Sequence, residues 1–198
     1  RLIAPSKDES ALLPPFLELP EHAIHLPQSE AEFEAAFKAM NAEPVLGFDT
    51  ESKPTFQKGE VQTGPHLIQI ATPEYTFLFP YSQFQQPALK ALLANPKILK
   101  VGFGLKNDKK LLHKHQLKLE GLFDLSHQFK DFGYDNQVGI QTAVALILQQ
   151  YLAKPHRVTV SNWSQQPLSL MQKCYAANDA YASLQVYLAL QKIKNPSD

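Results

Sequence analysis

VLGFDTE, residues 45–51, is a short apolar run that ends in two acids. Its first five residues, Val45–Asp49, have the mostly apolar composition of a strand buried at the centre of a sheet. Asp49 and Glu51 are two positions apart, so both side chains would point to the same side of that strand. Buried carboxylates are costly unless a cation lies between them, and magnesium prefers carboxylate oxygens. The pair therefore indicates either a divalent-metal site or the solvated end of a strand.

The segments around this strand predict an α/β domain. Ser29 and Glu32 form a capping-box pattern that opens a helix ending near Asn41. A three-strand opening followed by alternating helices and strands is typical of a mixed sheet flanked by helices. The other predicted strands cover residues 66–71, 75–79, 98–103 and 122–125, and the other predicted helices cover residues 87–94, 107–116, 136–152 and 168–193.

Composition limits the protein to a few classes. The chain has 198 residues, 44% of them apolar, with 19 basic and 19 acidic side chains, which excludes disorder over its whole length. Cys174 is the single cysteine, so a disulfide scaffold is excluded and a reducing, intracellular (cytoplasmic) location is expected. The longest apolar run, residues 143–148, is far shorter than the ~20 residues of a membrane span. Nothing in the sequence indicates a protein partner.

Proline content suggests where the folded domain begins. Five prolines fall within residues 1–28, which predicts an extended N-terminal arm. We expect residues 29–198 to form a single domain, because about 170 residues is an ordinary domain size.

Three more residues have side chains suited to a metal site. Asp108 follows the strand predicted at residues 98–103. An acid at this position can bind metal, or either Asp108 or its neighbour Asn107 can simply cap the following helix. Tyr175 and Asp179 are four positions apart in the last predicted helix and share one face. The alanine-rich stretch between them would let that helix approach the sheet closely and bring both residues towards Asp49.

The order of these residues resembles the DEDDy group of 3′–5′ exonucleases, which includes RNase D and the Werner exonuclease domain. The resemblance covers roughly residues 29–190, and it implies a ribonuclease H-like fold with a five-stranded mixed sheet flanked by helices. The matching motifs are Gly47–Glu51, Leu67–Ala71, Val101–Asp108, Asn162–Ser164 and Tyr175–Ala180.

The resemblance also implies a reaction and a role for each site residue. The expected activity is metal-dependent hydrolysis at a nucleic-acid 3′ end, releasing nucleoside 5′-monophosphates with two Mg²⁺ or Mn²⁺ ions. Asp49 would bridge the two ions, and Glu51 and Asp179 would complete the coordination of the ion on the side of the attacking water. Asp108 would serve the second metal, and Tyr175 would orient the attacking water, because a phenol of pKa about 10 is a poor general base at pH 7.

Lysines concentrate near Asp108. Residues 97–118 contain seven lysines and one acid. Lys106, Lys110 and Lys114 share a predicted helix face, which indicates either a phosphate track towards Asp108 or a solvated surface. The candidate nucleic-acid contacts are Thr50, Lys106, Asn107 and Lys110.

Two alternatives remain open at this point. A domain of this fold can bind nucleic acid with little turnover, and an RNase H-like endonuclease would cut internally.

The Ser52–Lys53–Pro54 sequence after Glu51 departs from the aromatic residue that relatives often carry there. The residues do not choose between DNA and RNA, since that choice depends on contacts with the 2′-hydroxyl.

Overall fold

A computed structural model describes residues 3–197 of the chain, and its centre is a mixed six-stranded sheet. The strands lie in the order β1-β4-β3-β2-β5-β6. The β2–β3 and β3–β4 pairs are antiparallel, and the other pairs are parallel. The strands are β1 (Ile24–His25), β2 (Val45–Glu51), β3 (Leu67–Ala71), β4 (Thr76–Pro80), β5 (Leu99–Gly102) and β6 (Leu122–Asp124). The predicted α/β class is confirmed.

The sheet has one strand more than the five predicted. The additional strand, β1, comes from the segment predicted to be an extended arm and pairs in parallel with β4 at the sheet edge. Two residues are too few to show an alternating pattern, so the sequence gives no strand signal there. The predicted boundary after residue 28 stays a prediction. Residues 1 and 2 of the predicted arm and residue 198 of the predicted domain lie outside the described part of the chain.

The rest of the N-terminal segment contacts the domain at several points. It contains a one-turn helix, α1 (Lys7–Ser10), so it is not extended throughout. The backbone N–H of Phe16 donates to the carbonyl of Tyr151 at 2.8 Å. The N–H of Leu19 donates to the Asn178 side chain at 3.0 Å. These bonds fix the segment against the folded core.

The helices follow the predicted order, with two changes. The helix predicted at residues 136–152 is shorter: α5 (Ile140–Ala143) continues as a π-helical stretch, Val144–Leu148, which is capped by Gln149 with a φ of +53°. A further single-turn helix, α6 (His156–Thr159), falls within the stretch between Pro155 and Pro167. The helices are α2 (Glu30–Asn41), α3 (Pro87–Ala94), α4 (Leu105–Lys114), α5 (Ile140–Ala143), α6 (His156–Thr159) and α7 (Leu170–Lys194). Among residues 3–197, no helix combines the length and apolar character needed to cross a membrane.

The alternation of side chains along β2 decides which face of the sheet holds the acids. Leu46 and Phe48 are fully buried and belong to the hydrophobic core shared with α2, including Phe37 and Met40. The intervening residues of β2 therefore face α7, on the opposite side of the sheet. This alternation places both predicted acids of the strand against the last helix.

Candidate metal centre

The close approach of α7 to β2 brings distant segments together. A Cβ atom built on Gly47 would overlap the carbonyl oxygen of Ala180. Ala176 and Ala177 are fully buried on the same helix, and Thr76 Oγ1 donates to the Ala177 carbonyl at 3.2 Å. The expectation that small residues let the helix approach the sheet is confirmed.

Three carboxylates meet where β2 faces α7. Asp49, Glu51 and Asp179 each offer an oxygen that lies within 4.8 Å of the other two. Gln69 on β3 donates from Nε2 to Glu51 Oε1 at 3.4 Å, and the Thr50 N–H donates to Asp49 Oδ1 at 2.8 Å. A set of oxygen ligands of this kind suits hard divalent cations such as Mg²⁺ and Mn²⁺.

Asp108 lies beside this group and is held by β2. Its carboxylate accepts a hydrogen bond from Thr50 Oγ1. The alternative that Asn107 or Asp108 caps this helix is wrong, because α4 begins at Leu105, two residues earlier than predicted. The capping acid is Asp124, which accepts from the N–H groups of Gly104 at 3.1 Å and Leu105 at 3.0 Å. Asp108 is therefore not the helix cap and faces the strand that carries Asp49.

A cation, Lys154, pairs with this acidic group, although it lies outside the motifs found in the sequence. Its Nζ lies 2.9 Å from Asp179 Oδ2 and 5.3 Å from the centroid of the Tyr175 ring. The side chain of Asp179 is 3% exposed and that of Lys154 is 25% exposed. The lysine therefore neutralises part of a buried acidic group.

Tyr175 lies at the edge of the acidic group, with its hydroxyl held by α6. Its OH and Thr159 Oγ1 are 2.7 Å apart. The fully buried Trp163 packs against the Tyr175 ring at 5.6 Å and donates from Nε1 to the Thr159 carbonyl. These contacts fix the direction of the phenol, and Tyr175 shares the lysine contact with Asp179 one helical turn away.

Burial raises the pKa of each acid in the group, and neighbouring acids raise the pKa values of Asp49 and Glu51 further. Burial, followed by the charges of Glu51, Asp179 and Asp108, raises the pKa of Asp49 well above its ordinary value. Burial, with Asp179 as the main charge, raises the pKa of Glu51 to about 8. Burial raises the pKa of Asp179 as well, although Lys154 opposes this.

The pKa values of the flanking groups follow the same causes. Burial raises the pKa of Asp108 to about 6, against the hydrogen bond from Thr50. Burial would lower the pKa of Lys154, but the neighbouring acids outweigh it and raise that pKa above its ordinary value. Burial also raises the pKa of Tyr175, so this phenol stays neutral and is suited to orienting a ligand.

The structure does not bring the predicted lysines to the acidic group. Successive residues of an α-helix turn by about 100°, so Lys106 and Lys110, each two positions from Asp108, lie on nearly the opposite side of α4. They border a separate groove of about 320 Å³ together with Leu117 and Lys118. Asn107 is exposed on the same helix. Nucleic-acid binding by Lys106, Asn107, Lys110 and Thr50 stays a prediction.

Residues 24–194 match a protein-family model described as "3'-5' exonuclease". The chain belongs to this 3′–5′ exonuclease family. The resemblance found in the motifs is thus confirmed. Membership of this family explains why the two acids of β2, the acid after β5 and the Tyr–Asp pair of α7 occur together in one chain.

Curated relatives of this exonuclease family cover most of the chain. The bifunctional 3'-5' exonuclease/ATP-dependent helicase WRN of Mus musculus is 32% identical over 192 residues, which are 93% of this chain and 13% of the relative. A 3'-5' exonuclease of Arabidopsis thaliana is 31% identical over 154 residues, 75% of this chain and 53% of the relative. The chain thus spans about an eighth and about half of these two relatives.

A solved exonuclease domain shares the fold. The crystal structure of the Nibbler EXO domain of Aedes aegypti superimposes with a TM-score of 0.70 at 26% identity, covering 89% of this chain and 90% of that domain. The expected ribonuclease H-like exonuclease fold is confirmed, with β1 as its sixth strand.

Three residues of the candidate site were missed by sequence reasoning. Lys154 and Thr159 lie outside the motifs that carry the acids, and the single turn of α6 is too short to show a periodicity. Gln69 had a usable signal, because it is the one polar residue in the apolar strand Leu67–Ala71. It is fully buried, and among the described residues its Oε1 has no hydrogen-bond partner.

Proposed function

We propose that this exonuclease-family domain is a metal-dependent enzyme that shortens a nucleic-acid strand from its 3′ end and releases nucleoside 5′-monophosphates. One observation carries the proposal. The oxygens of Asp49, Glu51 and Asp179 lie within 4.8 Å of one another, and Asp108 is joined to the same strand through Thr50. Three acids packed this closely, with a fourth beside them, are costly without cations, and metal binding would offset the cost.

We assign each ligand a role from its neighbours. Asp49, whose pKa is raised by burial and by the charges of Glu51, Asp179 and Asp108, would help to hold both ions. Glu51 and Asp179 would complete the coordination of one ion, and Asp108 would bind the other ion through water. Two bound Mg²⁺ or Mn²⁺ ions would supply an activated water and stabilise the charge that develops on the phosphate.

The remaining side chains position the reactants. The Tyr175 hydroxyl would hold the attacking water by hydrogen bonding, and Thr159 at 2.7 Å fixes its direction. The raised pKa of Tyr175 supports orientation rather than proton abstraction. Gln69 would hold Glu51 in place through the 3.4 Å contact with Oε1.

A nuclease assay with defined ends tests this proposal. DNA and RNA oligonucleotides labelled at the 5′ end are incubated with Mg²⁺, Mn²⁺ or EDTA, beside a circular strand of the same sequence. We expect a ladder of single-nucleotide steps, 5′-monophosphate products, an intact circle and no reaction in EDTA. Asp49→Asn serves as the matched inactive variant.

The other outcomes favour the two alternatives. Cleavage of the circle indicates an endonuclease of the same fold. Tight binding of the linear strands with no turnover in either metal indicates a binding module. Activity that persists in EDTA would contradict the metal dependence.

A further inference from the structure

A polar cleft adjoins the acidic group on the side of α6. Its volume is about 520 Å³, within the range of pockets that hold small ligands. Three elements form it: the start of α1, the start of α5 and the stretch from Lys154 to α6. Its lining residues are cationic or neutral, namely Lys7, Gly139, Ile140, Gln141, Thr142, Lys154, His156 and Thr159.

Two lining residues connect the cleft to the proposed reaction centre. Lys154 extends from the cleft to Asp179 at 2.9 Å. Thr159 contacts the Tyr175 hydroxyl at 2.7 Å. The cleft therefore opens directly beside both the carboxylates and the phenol, whereas the groove bordered by Lys106 and Lys110 lies on the other side of α4.

The chemistry of the lining fits a phosphodiester backbone. Lys7 provides positive charge, Lys154 carries a charge that Asp179 already pairs with, and the side chains of Gln141, Thr142 and His156 provide hydrogen-bond donors. Lysines that neutralise phosphates supply most of the sequence-independent affinity for nucleic acid. A strand whose terminal phosphodiester is held at the carboxylates has to leave the centre along a neighbouring surface.

We propose that this cleft binds the phosphates of the substrate strand next to the scissile bond, with Lys7 of the N-terminal segment as a contact. This inference rests on the proposed exonuclease function. It gives the N-terminal segment a role in substrate binding, and it places the strand along α5 and α6 rather than along the lysines of α4.

The N-terminal segment is held firmly enough to position Lys7. The Ala4 N–H donates to the Tyr134 hydroxyl at 2.7 Å. The Tyr151 N–H donates to the Pro14 carbonyl at 2.8 Å. These bonds lie on both sides of α1 in the sequence, so the helix that carries Lys7 is fixed against the α5 region.

Single-charge variants test the cleft against its alternatives. Lys7→Met removes the proposed contact, Lys106→Met tests the α4 track, and Lys38→Met is the matched control. Lys38 is exposed on α2, across the sheet from α7, and its replacement changes the net charge equally. His156→Gln gives a second, independent change in the cleft.

Two measurements report on each variant. Fluorescence anisotropy gives the Kd for labelled DNA and RNA strands in EDTA. Measurements at about four salt concentrations between 25 and 200 mM give the slope of log Kd against log salt concentration. Steady-state assays with Mg²⁺ give KM and kcat. We expect Lys7→Met to weaken binding roughly three- to tenfold and to reduce the salt slope by about 0.7 for a single-stranded substrate. His156→Gln should weaken binding less and leave the salt slope closer to wild type.

The results separate failure of this inference from failure of the proposed function. If the wild-type chain binds and shortens strands but Lys7→Met and His156→Gln behave like Lys38→Met, the cleft proposal is wrong and the exonuclease function stands. A loss confined to Lys106→Met would place the strand on α4 and also contradict the proposal. If the wild-type chain neither binds nor shortens DNA or RNA, both proposals fail.

Discussion

Lys154 Nζ lies 2.9 Å from Asp179 Oδ2, at the border between the acidic group and the polar cleft beside α6. The same carboxylate belongs to the three whose oxygens lie within 4.8 Å of one another. A lysine and a divalent cation would therefore compete for Asp179. In the metal-free fold the ion pair offsets part of the repulsion among the acids.

Replacing Lys154 with Met should have opposite effects on stability and on metal affinity. The metal-free protein should lose about 1–3 kcal/mol of unfolding free energy, because Asp179 becomes a buried acid without its partner. Removal of the competing cation should lower the Kd for Mn²⁺. Thermal unfolding in EDTA and calorimetric titration with Mn²⁺ measure the two effects, and Lys154→Arg is the charge-matched control. A weaker Mn²⁺ affinity in Lys154→Met would contradict the competition.

Replacing Asp49 with Asn should abolish turnover and stabilise the metal-free fold. Asn keeps the shape of the side chain but replaces the Asp49 carboxyl group, whose pKa is raised by burial and by three neighbouring acids. The melting temperature in EDTA should therefore rise, while the additional rise produced by Mn²⁺ should shrink. Asp131→Asn, at an exposed position outside the site, is the control. Loss of turnover with unchanged Mn²⁺ stabilisation would remove Asp49 from the metal site.

The metal-free protein should become less stable as the pH rises. The folded pKa of Glu51 is about 8 against an ordinary value of 4.5, and that of Asp108 is about 6 against 3.8. The folded state thus holds protons that the unfolded state releases, so this contribution to stability is complete below pH 4 and lost by pH 8.

Melting temperatures between pH 4.5 and pH 8.5, in EDTA and in Mn²⁺, measure this dependence. The fall should be smaller with Mn²⁺, because a bound cation favours the ionised carboxylates. Glu51→Gln should flatten much of the curve in EDTA. A melting temperature in EDTA that is constant or rises across this range would show that the acids are not coupled as the structure indicates.

Replacing Tyr175 with Phe should lower kcat on the order of 10- to 1000-fold. The ring and its packing against Trp163 remain, so the cost in stability should be about 0.5–1.5 kcal/mol from the lost hydrogen bond with Thr159. Thr159→Val removes the partner but keeps the phenol, and its kcat should fall less. Wild-type kcat in Tyr175→Phe would leave the tyrosine a packing residue only.

Replacing Gly47 with Ala should damage the metal site from a position that carries no ligand. The new Cβ would overlap the Ala180 carbonyl, which forces β2 and α7 apart and costs about 1–3 kcal/mol. Because Asp49 lies on β2 and Asp179 on α7, the Kd for Mn²⁺ should rise as well. Calorimetric titration at a temperature where the variant is folded tests this, and an unchanged Kd would contradict it.

Much of the fold and of the candidate site could be predicted from local sequence. Apolar runs marked five of the six strands, and Ser29 accepts a hydrogen bond from the Glu32 N–H at 3.1 Å as its capping pattern predicts. The alternation along β2 predicted that Asp49 and Glu51 share a face. These features depend on residues a few positions apart, so they are present in the sequence itself.

Local sequence was enough to predict the family, the α/β sheet and the five residues proposed for catalysis. Three features became visible in the folded chain alone: β1 completes the sheet, Asp124 rather than Asp108 caps α4, and Lys154 pairs with Asp179. The folded chain also shows that Lys106 and Lys110 lie away from the acids. The first three depend on how segments far apart in the chain pack, which local composition does not contain. The position of the lysines follows from helix periodicity only once Asp108 is known to face β2.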